Sequence, residues 1–316
     1  MTEEQTMQVS FATVTDDDSG QRLDNFLFRQ FRSIPKSRIY RAMRHGEVRV
    51  NKKRVKPDQR IVAGDIVRIP PLQVPDEAPK KVIGDKLLQQ LERAIVFENN
   101  DFLVVNKPSG IAVHGGSGLD YGLIEAMRKI RPDSRRLELA HRLDRDTSGC
   151  TIIAKKSSVL RAVHQQLRDK IVDKGYLALV RGHWPQHVKT IDAPLERYLL
   201  QNGERMVRVS DAGKASLTRF SVVESFAEAT LIRAMPITGR THQIRVHALH
   251  AGLPLCGDDK YGNKEDDAWL KTIHLKRLFL HASEVSFSLP NYDQLVHVQA
   301  PLPADLERVL ANLRKQ

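Results

Sequence analysis

The sequence predicts an α+β protein in which a small basic domain precedes a larger domain built on a mixed, mainly antiparallel sheet. In the larger part of the chain, strands outnumber helices and follow one another in hairpins, with few strand–helix–strand units. The 316 residues are enough for two domains, and 41% of them are hydrophobic, an ordinary share for globular cores. We expect an N-terminal leader over residues 1–19, the basic domain over 20–70, a proline-rich linker over 71–90 and the larger domain over 91–316.

Positive charge is concentrated in the basic domain. The chain carries a formal net charge of +12, and from Gly20 to Arg68 there are 14 Lys or Arg residues against four Asp or Glu residues. A surplus of this size is typical of proteins that bind a polyanion, most often a nucleic acid. We therefore expect a monomer bound to RNA.

Composition also bears on location. The first ten residues are acidic and polar, unlike a secretion signal, and no apolar run approaches the roughly 18 residues that a membrane helix requires. The two cysteines, Cys150 and Cys256, lie far apart in sequence, which fits a reducing compartment better than a disulfide framework. We expect a cytoplasmic protein that does not associate with membranes.

Local patterns predict the elements of the basic domain. Alternation over Val9–Val14 predicts a short strand, and apolar residues recur at helical spacing over Leu23–Phe31. A second helix is expected over about Ser33–Gly46, because glycine commonly ends helices. A hairpin that turns at Asn51–Lys52 and a strand over Ile66–Ile69 complete the unit.

Three segments of this region resemble the αL RNA-binding domain, the type found in small-subunit ribosomal protein S-four. They are Pro35–Arg38, Gly46–Asn51 and Ala63–Asp65, and the resemblance covers about residues 20–70. It implies that basic side chains contact RNA phosphates, which gives a salt-dependent affinity with little choice of sequence. The side chains that we assign to this contact are Arg38, Arg41, Arg44, Lys52, Lys53 and Arg54.

In the larger domain, the central expectation is a loop that joins two strands, with Leu137–Ala140 leading in and Cys150–Ala154 leading out. A helix is expected to open near Thr241, its N-terminal cap, and to end by Gly252. Further helices are expected over residues 86–93, 123–130, 159–170 and 305–313, and further strands over 94–98, 102–105, 175–180, 278–282 and 284–289.

The loop His141–Gly149 holds the best candidates for reactive groups, because two carboxylates and two guanidiniums fall within five residues. Asp144 lies between Arg142 and Arg145, whose charges would lower its pKa and keep it ionised, as a nucleophile or a base requires. Asp146 is the alternative, although Asp-Thr-Ser-Gly is typical of a turn. A surface turn with solvated charges is the competing interpretation of the same residues.

Other reactive patterns are missing from the sequence. No serine lies in a Gly-x-Ser-x-Gly elbow, and neither cysteine has the basic neighbours that activate a thiol. The glycines after His114 match neither a dinucleotide fingerprint nor a phosphate-binding loop, so we expect them to provide flexible backbone near a ligand. By elimination, the candidate nucleophile is a carboxylate. Five histidines lack metal-ligand spacing and are expected to be hydrogen-bonded in the core or to face RNA: His141, His242, His247, His250 and His281.

Five segments resemble, in order, the motifs of the RluA-type pseudouridine synthases. The nine residues His141–Gly149 match the catalytic motif, and the others are Asn106–Gly110, Lys174–Val180, Gly239–His247 and Arg277–Ala282. The resemblance spans about residues 94–290 and implies the pseudouridine synthase fold. It further implies site-specific isomerisation of uridine to pseudouridine in large-subunit ribosomal RNA, on a target base flipped out of its stack.

The same resemblance implies roles for individual residues. Asp144 would be the catalytic carboxylate, and Arg245 would pair with it and hold it ionised. Tyr176 would pack against the target base, or take the proton from C5. The implied substrate-binding side chains are Arg142, Leu280, Lys107 and His114.

No cofactor or metal is expected, because the isomerisation oxidises nothing and adds no atoms. The expected partner is ribosomal RNA, alone or within pre-ribosomal particles. Two other hypotheses remain open at this point. One is a non-catalytic RNA-binding or ribosome-assembly protein, and the other is an aspartate-dependent glycosylase that releases free base.

Overall fold

The computed structural model describes residues 8–31, 34–72, 83–115, 121–134, 136–290 and 292–316. The chain divides into two compact units, residues 1–82 and 83–316. Several expectations concern residues outside the described ranges: the first seven residues of the leader, Ser33, most of the proline-rich linker, and the glycines at 116 and 118. In the described part of the chain, no helix combines the length and the apolar character needed to cross a membrane.

The first unit is a four-stranded antiparallel sheet with two helices packed on one face. The strands lie in the order β1-β4-β2-β3. Their bounds are β1 Ser10–Thr13, β2 Arg49–Val50, β3 Lys53–Arg54 and β4 Ile66–Ile69, with helices α1 Leu23–Gln30 and α2 Lys36–Arg44. Strand β1 confirms the strand predicted over Val9–Val14; it lies within the range predicted as a leader and pairs with β4.

The predicted hairpin of this unit is confirmed. Asn51 and Lys52 both have positive φ, 49° and 66°, as a two-residue turn of the mirror-image type requires. The apolar stripe of α1 is buried as predicted, with Leu23, Phe26 and Leu27 at 2% exposure or less.

The second unit is organised around a ten-stranded sheet. Eight strands follow the order β10-β13-β14-β9-β15-β8-β6-β5, while β16 pairs with β15 and β7 with β8. The pair β15–β8 is parallel, and the other described pairs of this sheet are antiparallel, which confirms the predicted mixed, mainly antiparallel sheet. The strand bounds are β5 Ile95–Glu98, β6 Phe102–Lys107, β7 Glu138–Leu139, β8 Ser148–Ala154, β9 Asp173–Arg181, β10 Thr190–Asp192, β13 Leu217–Ser225, β14 Ala229–Pro236, β15 Leu280–Phe287 and β16 Val296–Gln299.

Helices cover both faces of this sheet, and a separate hairpin of β11 Leu195–Leu199 and β12 Arg205–Val209 lies beside it. Alternation along β6 shows the two faces: Phe102 and Val104 pack towards α5, whereas Leu103 and Val105 pack towards α3 and α4. Helix α3 begins at Asp85, within the range predicted as linker, and matches the helix predicted over residues 86–93. The helix bounds are α3 Asp85–Arg93, α4 Leu123–Ile130, α5 Ser157–Asp169, α6 Gln243–His250, α7 Asp267–Thr272 and α8 Ala304–Leu313.

A close backbone contact fixes the start of β8, where the motif loop ends. Gly149 has a φ of 112° and pairs with Ala282 of the parallel strand β15. A Cβ atom at this position would lie 2.2 Å from the Ala282 carbonyl oxygen. Only glycine fits here without moving one of the two strands, which explains the glycine at the end of the motif.

Both cysteines are buried within this unit as free thiols. Burial raises the pKa of Cys150 to about 12 and also raises the pKa of Cys256. Neither thiol is therefore a nucleophile at neutral pH, as the sequence predicts.

Candidate active site

The motif loop opens onto a cavity of about 590 Å³. The cavity is walled by the loop after β7, the strand β9, the end of α5 and the start of α6. Its volume lies within the range of small-molecule sites, about 300–1,000 Å³. Among the residues assigned from the sequence, those that line it are Arg142, Asp144, Tyr176, Arg245 and Leu280.

Asp144 contributes the one carboxylate among the described residues that line this cavity. Its side chain is 23% exposed, and its backbone carbonyl accepts from the Thr147 N–H at 3.2 Å, which closes the turn. The surroundings are strongly positive and suit a phosphate backbone. The cationic residues that line the cavity are Arg142, Arg168, Lys170, Lys174, Arg197, Arg240 and Arg245.

The implied pairing of Arg245 with Asp144 is wrong in this structure, since Arg245 is paired with Asp258. Its Nε and Nη2 donate to the two carboxylate oxygens of Asp258 at 2.7 and 2.6 Å, with both side chains buried. Burial lowers the pKa of Arg245, but the hydrogen bonds and charge of Asp258 outweigh it and raise the pKa overall. A bidentate fork is the strongest pairing open to an arginine, so Asp258 takes it.

His242, and not Arg245, lies against Asp144. The His242 Nε2 is 3.9 Å from the Asp144 Oδ2, and the His242 Nδ1 is 2.8 Å from the Tyr261 hydroxyl. That hydroxyl accepts from the Val207 N–H at 3.0 Å, and we infer that it donates its own proton to Nδ1. Burial lowers the pKa of His242, while the negative charge of Asp144 acts to raise it. The neutral ring therefore carries its proton on Nε2, facing Asp144.

The backbone at His242 is unusual for a side chain of its kind. Helix α6 begins at Gln243, and His242 precedes it with a left-handed φ of 53°. The expectation that Thr241 caps this helix is wrong, because no side chain caps it and the Thr241 hydroxyl accepts from Arg197 instead. Contacts made by the ring, such as the edge-on packing against Tyr261, offset the cost of this conformation.

Tyr176 and Leu280 line the cavity from the adjacent strands β9 and β15. Burial and the charge of Asp144 raise the pKa of Tyr176, so the phenol remains protonated. Lys174 lies two residues before Tyr176, on the same face of β9, and also lines the cavity. No carboxylate of the described chain lies within ion-pair distance of its ammonium group. Sequence reasoning did not single out Lys174, although period-2 alternation from Tyr176 is a signal that finds it.

Comparison with known proteins bears directly on this site. A family model described as RNA pseudouridylate synthase matches residues 101–250, and one described as the S4 domain matches residues 21–67. Relatives named "Ribosomal large subunit pseudouridine synthase C" occur in Haemophilus ducreyi, 55% identical with 100% of both chains covered, and in Escherichia coli K12, 52% identical with 98% of both chains covered. The chain belongs to the RNA pseudouridylate synthase family.

Solved structures agree with this placement. The structure of human RNA pseudouridylate synthase domain containing 4 is 26% identical, with a TM-score of 0.61, and covers 73% of this chain and 96% of its own. Human RNA pseudouridylate synthase domain containing 1 is 27% identical, with a TM-score of 0.56, and covers 71% and 95%. The chain is therefore an enzyme, a pseudouridine synthase, with an S4 domain in front.

Lys107 of this pseudouridine synthase does not line the cavity, which corrects its assignment to substrate binding. It is fully buried, and its ammonium group donates to the backbone carbonyls of Pro108, Ile111 and Arg145 at 2.8–3.0 Å. Burial lowers the pKa of Lys107 to about 7, while the charges of Asp146 and Asp144 oppose this shift. Lys107 thus holds the Asp144 loop to the segment after β6, so its contribution is to position the loop.

We expect the change Lys107→Met to loosen the Asp144 loop. Methionine leaves the carbonyls of Pro108 and Ile111 without a donor, and that of Arg145 with only the Gly110 N–H. We expect a loss of about 2–5 kcal/mol in the free energy of unfolding. Urea unfolding of the purified variant measures this loss. The control is Lys129→Met, which removes the same charge from an exposed site on α4 and should change stability by less than about 0.5 kcal/mol. Equal stabilities for the two variants would contradict the positioning role.

His114 also lies outside the residues that line the cavity, and its side chain is exposed. Its backbone packs against Gly122, where a Cβ atom would lie 2.5 Å from the His114 carbonyl carbon. The structure therefore does not place His114 in the site, and the residues that follow it at 116–120 are not described.

The histidines considered as metal ligands are mostly satisfied by the protein. His247 is hydrogen-bonded to Thr218 and to the Ala193 carbonyl, and His281 to Ser148 and to the Ala300 carbonyl. Burial lowers the pKa of His281 to about 4, so it is a neutral core residue. In the described ranges, no group of three or more His, Cys, Asp or Glu side chains is arranged to hold a metal ion.

The basic residues of the S4 domain lie on its surface. Five of the six assigned side chains are exposed, while Arg38 is half-buried and lies 3.5 Å from the Glu47 carboxylate. Arg54 donates to the His45 carbonyl at 3.1 Å and packs over Gly46. The exposed members are Arg41, Arg44, Lys52, Lys53 and Arg54.

Proposed function

We propose that this enzyme isomerises uridine to pseudouridine in large-subunit ribosomal RNA, with Asp144 as its catalytic carboxylate. The observation that carries the proposal is the position of Asp144. It is the one carboxylate among the described residues of a cavity whose other charged residues are cations. The relatives named for large-subunit ribosomal RNA, 52–55% identical over nearly their full lengths, support the substrate class. The S4 domain supports binding to RNA.

The reaction breaks the C1′–N1 glycosidic bond, turns the detached uracil and forms a C1′–C5 bond. The proton on C5 is lost and N1 takes up a proton, so the product is an isomer of uridine. A uridine in a helix must leave its stack first, at a cost of a few kcal/mol. The cations around the cavity offset that cost by binding the backbone phosphates that flank the target. Tyr176 and Leu280 provide the apolar surface against which the base packs. Since its phenol stays protonated, Tyr176 suits packing better than removal of the C5 proton.

His242 completes this proposal as the residue that orients Asp144. The distance of 3.9 Å is longer than a hydrogen bond, but contacts between catalytic groups commonly shorten when substrate binds. The Tyr261 hydroxyl fixes the ring so that the Nε2 proton faces the carboxylate. Orientation of one carboxylate oxygen leaves the other free for the substrate.

This role predicts a difference between two substitutions at His242. Glutamine and leucine carry the same backbone cost at a left-handed position, but only glutamine retains a donor near the place of Nε2. We expect His242→Leu to lower kcat about 10- to 100-fold and His242→Gln to retain most of it. Single-turnover assays on a ribosomal RNA transcript measure both. Equal losses would contradict the orienting role and indicate that only the backbone conformation matters.

The test of the function is position-resolved mapping of pseudouridine in total RNA from cells with and without this protein. The proposal expects one or more large-subunit sites to disappear and to return with the wild-type gene. If transfer RNA sites disappear instead, the proposed reaction is supported but the proposed substrate, ribosomal RNA, is contradicted. An unchanged map would favour a binding protein over an enzyme of ribosomal RNA.

A further inference from the structure

A row of four side chains crosses the outer face of the S4 sheet. Of these four, only Arg54 is among the side chains assigned to RNA contact above. Directly paired positions across the four strands are Phe11, Arg68, Arg49 and Arg54. Paired residues of neighbouring strands project from the same face. The opposite face carries Val50 and Val67, which are buried against the helices, so the row faces solvent.

The three arginines of the row are held in place by consecutive carbonyls at the end of α2. Arg54 donates to the His45 carbonyl at 3.1 Å, Arg49 to the Gly46 carbonyl at 3.3 Å and Arg68 to the Glu47 carbonyl at 2.7 Å. Each uses one N–H group, which leaves the rest of the guanidinium fork available. None of the three lies within 4 Å of a carboxylate of the described chain. The row is therefore a fixed line of positive charge with unused donors.

An exposed aromatic ring ends this line. Phe11 is 68% exposed, which is unusual for a phenylalanine on a strand, and its paired neighbour is Arg68. Ile66, two residues before Arg68 on the same face, is exposed as well. A single exposed apolar residue needs no explanation, but an aromatic ring at the end of an arginine row matches the way proteins bind unpaired nucleotides.

We propose that this row binds a single-stranded segment of RNA, with a base stacked on Phe11 and the neighbouring phosphates on the three arginines. Phenylalanine has no hydrogen-bonding group, so the site accepts any base. A duplex offers no unstacked base to the ring and binds through its phosphates alone. The inference rests on the proposed function, because it takes RNA as the substrate. It adds that the S4 domain binds an unpaired segment of that RNA.

The test measures binding of the full-length protein to a single-stranded RNA of ten nucleotides and to a blunt RNA duplex, as a function of salt. We expect Phe11→Ala to weaken single-strand binding about tenfold, with little change in the salt slope or in duplex binding. We expect Arg49→Gln to lower the salt slope by about 0.7. The two kinds of contact thus give separate signatures.

Two matched controls lie in the same domain but off the row. Val62 is an apolar residue with 57% exposure, and Val62→Ala should leave both affinities unchanged. Arg60 is exposed and donates to the Gly20 carbonyl, so Arg60→Gln removes the same charge from another surface. An unchanged affinity for Phe11→Ala, or an equal fall in slope for Arg60→Gln and Arg49→Gln, would overturn the inference.

Isomerisation assayed in parallel separates this inference from the proposed function. If the wild-type protein forms pseudouridine and the row variants bind single-stranded RNA as tightly as the wild type, the RNA site on the S4 domain is overturned and the proposed function is not. Row variants that lose single-strand affinity support the site, even if the wild-type protein forms no pseudouridine in ribosomal RNA. Thermal melting checks that Arg49→Gln remains folded, since Arg49 also donates to the Gly46 carbonyl in the segment between α2 and β2.

Discussion

Replacing Asp144 by asparagine should abolish pseudouridine formation, with a fall in rate of at least about 10⁴-fold. The amide has the shape of the carboxylate but neither its charge nor its basicity, so any mechanism that uses the carboxylate as nucleophile or base is lost. RNA affinity should be retained, because the cations of the cavity are unchanged. Pseudouridine formed on a ribosomal RNA transcript and a filter-binding titration measure the two quantities.

Asp146 provides the matched control for this prediction. It lies two residues away, and its carboxylate is paired with the exposed Arg145 side chain and not turned into the cavity. We expect Asp146→Asn to retain most of the activity. The reverse outcome, with Asp146 essential and Asp144 dispensable, would transfer the catalytic role. Free uracil among the wild-type products would instead indicate a glycosylase.

Replacing Gly149 by alanine should strongly reduce stability. The new methyl group would meet the Ala282 backbone at 2.2 Å, and the φ of 112° would be strained for any side chain. We expect a loss of about 3–5 kcal/mol in the free energy of unfolding, from steric overlap and backbone strain together. Activity should fall as well, because β8 continues directly from the Asp144 loop. Urea denaturation measures the loss of stability.

Gly203 separates the two causes of that loss. It has a φ of 80° at the tip of the β11–β12 hairpin, and a Cβ atom there would meet nothing within 4 Å. The change Gly203→Ala carries the backbone strain alone and should cost about 1–2 kcal/mol. If Gly149→Ala were no more damaging than Gly203→Ala, the close contact between β8 and β15 would not be a constraint on the fold.

Local patterns were enough to predict most of the elements. The Asn51–Lys52 turn and the apolar stripe of α1 are determined by neighbouring residues, and both are confirmed. The start of α6 was wrong because its cause is not local. His242 takes a left-handed conformation next to Tyr261, which lies 19 residues further along the chain, and a capping rule applied to Thr241 does not include that contact.

In the candidate site, too, contacts between residues far apart in the chain were not predicted from the sequence. Asp144, Tyr176, Arg245 and Leu280, to which the resemblance gives roles, line one cavity. The resemblance did not give the partner of Arg245, because Asp258 is on a loop that carries no motif of its own. Lys107 was misassigned although a signal was present. It continues the alternation of Leu103 and Val105 on β6, which points it into the protein and away from a substrate.

The burial of both native thiols makes this protein convenient for chemical labelling. Thiol-reactive dyes attack the thiolate, and the raised pKa values of Cys150 and Cys256 leave almost none of it at neutral pH. A cysteine introduced at an exposed position, such as Leu199 on the β11–β12 hairpin with 66% exposure, would react selectively. Fluorescence from a single dye can then report the arrival and departure of RNA without removal of either native residue.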